Sequence, residues 1–312
     1  MNQSLLTPED IQTHYPGVFK IYQFMIEKRG SGLKNHILTH LTRFIKRNQT
    51  FVREIEALYL KYREEDSMNH FFKSKVVKQS IKELQRELHT TYSQFQSSQD
   101  SKKHQLLESA SSITQLLTIH KSTQERVESY QEIYSYLLKQ FLSKEEFEKL
   151  TILDIGCGMN PLSIEIFEEE STKLKLPLTR NSIKWIGCEV NKEDMNYLSS
   201  AYSRFNFKGE FFSCDLTRED DVEQLKEIRV DVLFAFKVLD SLEHIRRNIS
   251  FEILKELNYN IGVISFATYS LGRRKKIPIT KRAWILKFLE REKWTYSIYE
   301  TDNEAYIVYK KK

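Results

Sequence analysis

Apolar positions along the chain follow two different patterns, and the change between them falls near residue 149. Over residues 1–120, apolar residues recur at the spacing of amphipathic helices, and no alternating strand pattern occurs. The segment Thr7-Pro8-Glu9-Asp10 combines the cap, the proline and the acidic first turn of a helix start. From residue 149 onward, short apolar runs alternate with helical stretches. The pattern therefore predicts a helical first part followed by an α/β second part.

Seven short apolar runs in the second part predict strands. They cover residues 150–155, 183–190, 208–214, 229–236, 260–267, 293–299 and 304–310. Helical stretches separate most of these runs, which predicts a mostly parallel sheet, whereas only a short polar turn joins the last two, which predicts an antiparallel hairpin. This combination is typical of class I methyltransferases that use S-adenosylmethionine (SAM) rather than of dehydrogenases. We predict this Rossmann-like α/β fold over residues 111–312, preceded by an all-α domain over residues 1–110.

Charge is distributed unevenly between the two parts. The whole chain has a net charge of +5, but residues 20–103 carry 17 Lys and Arg against 9 Asp and Glu, a local excess of +8. A basic helical part suits binding to a polyanion such as RNA. The candidate contacts on its cationic helix face are Lys34, Arg43, Lys46 and Arg47. An ordinary solvated helical surface is the alternative explanation.

The composition argues against several kinds of site. The cysteines Cys157, Cys188 and Cys214 form no Cys-x-x-Cys pair and have no histidine at zinc spacing, so we expect neither a metal site nor a disulfide framework. The chain starts without a basic and apolar leader, and no apolar run approaches the length of a membrane span. We expect a soluble, cytoplasmic, monomeric protein with no membrane partner.

Residues 153–162, Leu-Asp-Ile-Gly-Cys-Gly-Met-Asn-Pro-Leu, join the first predicted strand to a helix. Gly156 and Gly158 let the backbone pass close to a ligand, and the helix that follows directs unsatisfied N–H groups towards it. A dinucleotide fingerprint would have a third glycine where Pro161 stands, so the Asp-x-Gly-x-Gly form favours SAM as the cofactor. A tight strand–helix bend without a ligand is the alternative.

Three carboxylates follow predicted strands, at the edge where open α/β sheets bind ligands. Asp154 lies beside the glycine turn, Glu189 is suited to a ribose diol, and Asp215 is suited to the adenine amino group. Cys214, directly before Asp215, belongs to the same predicted cofactor site. Each carboxylate alone could instead cap a loop.

Two motifs of other nucleic-acid methyltransferases do not occur after the fourth strand, where the sequence reads Phe-Ala-Phe-Lys-Val-Leu. An Asn/Asp-Pro-Pro-aromatic run would orient an exocyclic amine, and a Pro-Cys nucleophile would activate a pyrimidine for C5 methylation. Guanine N7 has an available lone pair and needs neither, so positioning against the sulfonium methyl group could carry much of the catalysis. No general base is expected.

Four stretches of the chain are similar to motifs of one known family. Residues 120–127 match its His-x-Ser-Thr-x-Glu-Arg-Leu segment, and the glycine loop with Asn160-Pro161 resembles its cofactor loop. Residues 263–273 look like its Val-Ser-Phe-Pro-Thr-x-Ser-Leu-Gly-Gly-Arg segment, and residues 302–308 parallel its Asn/Thr-Glu-Leu-Val/Ile-Tyr ending. The chain thus resembles the SAM-dependent 16S ribosomal RNA (guanine-N7) methyltransferases associated with aminoglycoside resistance.

The resemblance implies a helical domain that grips ribosomal RNA and a catalytic domain that methylates a guanine in the decoding region of the small ribosomal subunit. By position in the family motifs, Arg126 would bind the SAM carboxylate, because a guanidinium fork binds a carboxylate in a bidentate manner. Asn160 and Pro161 would belong to the cofactor loop, and Lys237 would position the target base or its phosphate. An exposed helix arginine and a strand-end surface lysine are the simpler interpretations of Arg126 and Lys237.

The chain also departs from the family. The family proline after Ser-Phe is Ala267 here, and its Lys-x-Leu-Pro is Lys-Val-Leu-Asp from Lys237 onward. A glycine-rich basic loop is replaced by Gly-Arg-Arg-Lys-Lys-Ile-Pro over residues 272–278. The RNA contacts predicted in it are Arg273, Arg274, Lys275 and Lys276, with a solvated loop as the alternative. Two other functions stay open: methylation of another rRNA position or of tRNA, and a non-catalytic SAM-fold protein that binds RNA or assists ribosome assembly.

Overall fold

The computed structural model describes residues 6–29, 34–64, 67–88, 103–141, 149–176, 178–269 and 275–311. Contacts within the chain divide it into two compact units, Met1–Gln94 and Phe95–Lys312, which we name the helical unit and the sheet unit. In the described part of the chain, no helix is both long enough and apolar enough to span a lipid bilayer.

Helices account for the described part of the helical unit. They are α1 (Pro8–His14), α2 (Pro16–Arg29), α3 (Lys34–Arg47), α4 (Gln49–Tyr62), α5 (Met68–Lys73) and α6 (Lys75–Leu88). Thr7 caps α1 as predicted: its hydroxyl oxygen accepts a hydrogen bond from Asp10 N at 3.1 Å, and the Asp10 carboxylate accepts one from Thr7 N at 2.8 Å. The sequence pattern does not predict α5, because six residues are too few to show a helical apolar period.

A single apolar core holds the helical unit together. Its fully buried members include Ile11, Ile21, Ile37, Ile55 and Val77. Hydrogen bonds also join α4 to α2, because the Glu56 carboxylate of α4 accepts from Gly17 N at 2.9 Å and Val18 N at 3.0 Å. These are N–H groups of the first turn of α2, which have no partner within the helix. Burial raises the pKa of Glu56, against the effect of the two hydrogen bonds.

The sheet unit begins with helices and then alternates strands with helices. Before the first strand come α7 (Lys103–Ser109), a 3₁₀ segment (Ile113–Ile119), α8 (Lys121–Gln124) and α9 (Tyr130–Phe141). The strands are β1 (Leu150–Ile155), β2 (Ile183–Glu189), β3 (Gly209–Ser213), β4 (Arg229–Phe236), β5 (Asn258–Ala267), β6 (Thr295–Glu300) and β7 (Glu304–Lys310). The helices between them are α10 (Ile164–Lys173), α11 (Lys192–Arg204), α12 (Glu219–Lys226), α13 (Leu239–Ile245), α14 (Ile249–Glu256) and α15 (Ala283–Arg291).

The strands form one sheet in the order β3-β2-β1-β4-β5-β7-β6. Strands β1 to β5 pair in parallel, whereas β7 pairs antiparallel with both β5 and β6. The predicted α/β fold with a terminal hairpin is confirmed, and each strand lies within two residues of its predicted run. Because the chain order reverses between β1 and β4, the carboxyl ends of these neighbours form the crevice where such sheets bind ligands.

The sheet unit starts earlier in the chain than residue 111, where the sequence analysis places the second domain. Lys103 of α7 pairs with buried Asp194 of α11, with Nζ and Oδ1 separated by 2.6 Å. Arg204 of α11 donates a hydrogen bond to the Ala110 carbonyl at 3.0 Å. Helix α7 therefore packs against α11 within the sheet unit, although its sequence continues the helical pattern of the first part.

Candidate cofactor and catalytic site

The loop after β1 is shaped by its two glycines. Gly156 and Gly158 have φ angles of 61° and 50°, in the left-handed region that side chains disfavour. A Cβ atom on Gly156 would lie 2.5 Å from Val238 Cγ2, and one on Gly158 would lie 3.2 Å from His120 Cε1. Side chains from the segment after β4 and from the segment before α8 thus close around this loop.

Asp154, at the carboxyl end of β1, is fully buried in a hydrogen-bonded chain. Its Oδ2 accepts hydrogen bonds from Asn160 Nδ2 at 2.7 Å and from Trp185 Nε1 at 3.3 Å, and Tyr130 donates to Asn160 Oδ1 at 2.8 Å. Its Oδ1 has no hydrogen-bond partner among the described residues. Burial raises the pKa of Asp154 to about 7, against the effect of the hydrogen bonds from Asn160 and Trp185.

The Asn-Pro step of the loop is engaged with its surroundings. Both ends of the Asn160 amide are occupied, by Tyr130 and by Asp154. The Pro161 carbonyl accepts a hydrogen bond from Tyr202 of α11 at 2.7 Å. These contacts hold the loop in place, so Asn160 and Pro161 are suited to shaping the cofactor loop.

Glu189 is the last residue of β2 and Asp215 lies two residues after β3, both at strand ends as predicted, and the two carboxylates differ in their contacts. Glu189 is partly exposed, and its carboxylate accepts hydrogen bonds from Val190 N at 2.7 Å and Gly158 N at 3.3 Å. Burial, with the nearby charges of Asp194 and Asp215, raises the pKa of Glu189 to about 7. Asp215 Oδ1 accepts hydrogen bonds from the backbone N and hydroxyl of Thr217 at 3.0 and 2.7 Å. Asp215 thus caps its own loop at the cofactor edge.

Cys214 contributes its backbone to this edge rather than its thiol. Its N donates a hydrogen bond to the Glu189 carbonyl at 2.9 Å, while its side chain is buried in the apolar core with Cys188. The cysteines Cys157, Cys188 and Cys214 are all free thiols. Among the residues whose placement is described, no group of three His, Cys, Asp or Glu side chains could hold a metal ion.

Arg126 is buried and paired with a carboxylate of this chain. Only 3% of its surface is exposed, and its Nε and Nη2 donate hydrogen bonds to Glu304 Oε2 and Oε1 at 2.8 and 2.9 Å. The guanidinium also lies over the Phe236 ring, 5.2 Å from its centroid. The interpretation of Arg126 as an exposed helix arginine is therefore wrong. The Glu304 carboxylate therefore engages two of the three guanidinium nitrogens of Arg126.

Lys237 joins the same cluster of charges. Its Nζ is 3.0 Å from Glu125 Oε2 and 3.3 Å from Glu304 Oε2, and only 5% of its side chain is exposed, so it is not a surface lysine. Burial opposes the charge of Glu304, but the attraction of Arg126 and Lys237 outweighs it and lowers the pKa of Glu304 to about 2. Ser265 of β5 donates a further hydrogen bond to Glu304. We name Glu125, Arg126, Lys237 and Glu304 the charge cluster.

Backbone conformation fixes Lys237 at the end of β4. Its φ is 58°, a left-handed conformation that costs a non-glycine residue roughly 1–2 kcal/mol. Its N donates hydrogen bonds to the carbonyl and the hydroxyl of Ser265, both at 3.1 Å. These bonds turn the chain towards the charge cluster at the end of the strand.

Sequence reasoning did not assign roles to four residues that shape the site. His120 and Val238 cover the two glycines, Tyr130 holds Asn160, and Glu304 binds Arg126. Glu304 stands in the stretch that parallels the family ending, but 178 residues separate it from Arg126 in the chain. Only the position of β7 beside β5 brings the two together.

Residues 104–309 match the family described as ribosomal RNA methyltransferase (FmrO). The chain belongs to the FmrO ribosomal RNA methyltransferase family. The resemblance found from the sequence is thereby confirmed. The matched residues lie within the sheet unit and include all of the sheet except the last residue of β7.

Two curated relatives of this FmrO-family protein are both named 16S rRNA (guanine(1405)-N(7))-methyltransferase. The Frankia casuarinae protein is 25% identical over 202 residues, 64% of each chain, and the Micromonospora rosea protein is 25% identical over 160 residues, 51% of each. The chain thus spans between half and two thirds of the length of these relatives. The crystal structure of the 16S rRNA methyltransferase RmtF with S-adenosyl-L-homocysteine has a TM-score of 0.56 at 18% identity, over 83% of this chain and 91% of that one. That similarity shows a shared fold.

The predicted RNA contacts of this FmrO-family protein lie in both units. On α3, Lys34, Lys46 and Arg47 are exposed and Arg43 is partly exposed. In the basic loop, Lys275 and Lys276 are exposed, and Lys276 forms an antiparallel bridge with Tyr269. Arg273 and Arg274 lie outside the described residues.

Proposed function

We propose that this protein transfers a methyl group from SAM to N7 of a guanine in the decoding region of 16S rRNA. The observation that carries the proposal is the loop after β1, where two left-handed glycines lie between buried Asp154 and the Glu189 carboxylate, in the crevice of the sheet. Membership of the FmrO family supports ribosomal RNA as the substrate. The names of both curated relatives support guanine N7 of 16S rRNA as the target.

The residues around the loop fit SAM. Asp154 Oδ1 is a buried acceptor without a donor in the described structure, and a ligand ammonium group would satisfy it. Glu189 is partly exposed and suited to a ribose diol, and Asp215 lies at the next strand end for the adenine amino group. When bound, SAM supplies a sulfonium methyl group. The lone pair of guanine N7 would form the new bond to the methyl carbon, and the electron pair of the broken carbon–sulfur bond would stay on sulfur.

In this proposal the chain positions the reactants and transfers no proton. Guanine N7 carries no proton, so no residue has to act as a general base, and orientation of the base supplies the catalysis. Lys237 is held by buried Glu304 and by Glu125, whose side chain is 38% exposed. An RNA phosphate would reach Lys237 by replacing Glu125, the more exposed of its two partners.

The helical unit supplies RNA affinity in this proposal. It carries 15 Lys and Arg against 10 Asp and Glu, whereas the sheet unit carries 33 of each. Phosphate contacts by Lys34, Arg43, Lys46 and Arg47 would make binding weaken steeply with salt, because each neutralised phosphate releases counterions. The protein would act as a cytoplasmic monomer on the small ribosomal subunit.

Mapping of the modified nucleotide tests the proposal. The full chain is incubated with methyl-labelled SAM and, separately, with 30S subunits, naked 16S rRNA and tRNA, and each RNA is cleaved chemically at N7-methylguanine. We expect label at one guanine of the decoding region. Label only in tRNA, or at an atom other than N7, would contradict the proposed target. RNA that is bound but never labelled would favour a non-catalytic SAM-fold protein.

A further inference from the structure

A groove on the surface of the sheet unit, formed between helices, shares no lining residue with the cofactor loop. It lies between α15 and the connection from α13 to α14 and encloses about 520 Å³. This volume falls within the range of roughly 300–1,000 Å³ that is typical of small-ligand sites, which is enough for one nucleotide. The groove carries both aromatic and cationic side chains.

The aromatic part of the groove is a fixed layer of rings. Phe251 and Trp284 are each half-buried, and their ring centroids are 5.5 Å apart. Phe251 stacks on buried Phe288 at 4.5 Å, and Trp284 packs edge-on against buried Phe266 at 5.9 Å. Because buried rings support the half-buried ones, the groove presents a rigid aromatic surface of the kind on which nucleobases stack.

The rim of the groove is cationic. Arg247 and Lys287 are exposed, and neither makes an ion pair or a hydrogen bond in the described structure. Arg291 lies over the rings of Phe251 and Phe288 and also pairs with Glu292 at 3.3 Å.

The carboxylate that lines the groove, Glu243, accepts hydrogen bonds from Asn248 N at 2.8 Å and Ser250 N at 2.9 Å. Because these bonds engage Glu243, Arg247 and Lys287 remain available to a ligand. Their charge suits an anionic one.

Trp284 also lies near the end of the sheet that carries the cofactor loop. Arg282, two residues before it, donates to Asp240 Oδ2 at 2.9 Å. Asp240 in turn follows by two residues Val238, which covers Gly156. The Trp284 end of the groove therefore lies towards the carboxyl ends of the strands, the edge that carries the cofactor loop.

We propose that this groove binds an unpaired nucleotide segment of the RNA substrate. A base stacks on Trp284 and touches Phe251, whose ring is inclined to that of Trp284 by 51°, and the phosphates on either side of the base meet Arg247 and Lys287. RNA suits both the aromatic layer and the cationic rim of the groove, because it presents flat bases and regularly spaced phosphates. An acidic peptide would suit only the cationic rim. The inference rests on the proposed function, which makes RNA the substrate.

Neutralising the two free cations tests the groove with little risk to folding. In the full chain, R247Q/K287Q is compared with K175Q/R229Q, which removes two exposed cations of the sheet unit that do not line the groove. We expect the groove variant to bind 16S rRNA less tightly and to lower the slope of log K against log salt by about 1.4, the value for two contacts to single-stranded RNA. The control variant should keep the parental slope, and both should keep the parental SAM affinity.

The aromatic layer is tested at Trp284. Trp284→Leu should weaken RNA binding roughly 5- to 150-fold, the range for loss of one base–aromatic stack, while Trp284→Phe keeps most of the affinity. An RNA containing 4-thiouridine should crosslink to α15 in the parent and not in Trp284→Leu.

The outcomes separate the groove from the proposed function. If R247Q/K287Q and Trp284→Leu both bind RNA as tightly as the parent and still transfer the methyl group, the proposal that the groove binds RNA is wrong and the proposed function is unaffected. Crosslinking at α15 without methyl transfer by the parent would overturn the function and support the groove. If polyglutamate added before irradiation suppresses the crosslink as well as oligouridylate of equal charge does, the groove does not recognise nucleotides and the inference fails.

Discussion

The two sides of the candidate site differ in how far their charges are satisfied within the protein. On the side of β1 and β2, Asp154 and Glu189 form no ion pair in the described structure, and burial raises the pKa of each to about 7. On the side of β4, β5 and β7, the charges of Arg126 and Lys237 are balanced by those of Glu304 and Glu125, and the pKa of Glu304 falls to about 2. The first side is arranged to receive a polar ligand, whereas the charges of the second side are already paired within the protein.

This difference changes the role expected of Arg126. The family resemblance implies that Arg126 binds the SAM carboxylate, but Glu304 occupies two of its nitrogens. An arginine held in this way stabilises the fold through its ion pair, in addition to any contact that it makes with SAM. The charge cluster should therefore matter first for stability, and the β1–β2 side first for cofactor affinity.

The largest expected effect is on stability, from Glu304→Ala. Removal of this carboxylate leaves Arg126 and Lys237 buried with one partly exposed partner, and breaking a buried pair typically destabilises a protein by about 3–5 kcal/mol. Urea unfolding of the full chain measures the loss. The matched control is Glu252→Ala, because Arg246 and Glu252 form a similar two-bond pair at 3.1 and 2.7 Å on the surface. Exposed pairs contribute about 0–1 kcal/mol, so equal losses in the two variants would contradict the account.

The two sides should also respond to pH in opposite directions. The pKa of Asp154 is raised in the folded protein, so Asp154 loses its proton at a lower pH in the unfolded chain than in the folded one. Stability therefore falls as pH rises from about 4 to 7. The lowered pKa of Glu304 means that stability falls as pH drops from about 4.5 to 2. Each effect is at most about 3–4 kcal/mol.

Unfolding free energies of the parent, Asp154→Asn and Glu304→Gln between pH 3 and pH 8 separate these contributions. Asp154→Asn should flatten part of the decline between pH 4 and pH 7, because Glu189, whose pKa is also raised to about 7, contributes to it, and Glu304→Gln should flatten part of the acid decline. His120, whose pKa burial lowers to about 3, adds to the acid decline in all three proteins. A parent that gains stability from pH 4 to pH 7 relative to Asp154→Asn would show that Asp154 is not held in a raised-pKa state.

A smaller effect is expected in the glycine loop from Gly156→Ala. The left-handed φ and the contact with Val238 together should cost about 2–3 kcal/mol and weaken SAM binding. Adding Val238→Ala removes the contact at 2.5 Å with Cγ2 but leaves the backbone strain and the contact at 3.0 Å with Cβ, so the double variant should recover only part of the loss. Full recovery would mean that φ at this position carries no strain, and unchanged SAM affinity in Gly156→Ala would separate the loop from the cofactor.

The sequence predicted the sheet well and the charge cluster poorly, for a physical reason. Strands and the glycine loop depend on local spacing and on residues with special backbone freedom, and both signals are contiguous in the chain. The pairing of Arg126 with Glu304 depends on the strand order, which places β7 beside β5. The left-handed Lys237 gives no signal in a single sequence either, because its conformation follows from the bonds to Ser265.

The most direct test of the account is a calorimetric titration of the full chain with SAM, comparing the parent with Glu189→Ala and Glu193→Ala. Glu193 is an exposed carboxylate in the first turn of α11, so its removal makes the same change in charge but keeps the carboxylate that accepts from Gly158 N and Val190 N. We predict that Glu189→Ala weakens SAM binding by about 1–3 kcal/mol, the scale for lost hydrogen bonds to a charged group, and that Glu193→Ala binds as the parent does. Equal SAM affinity in all three proteins, or no SAM binding by the parent, would contradict the claim that the β1–β2 side is the cofactor site.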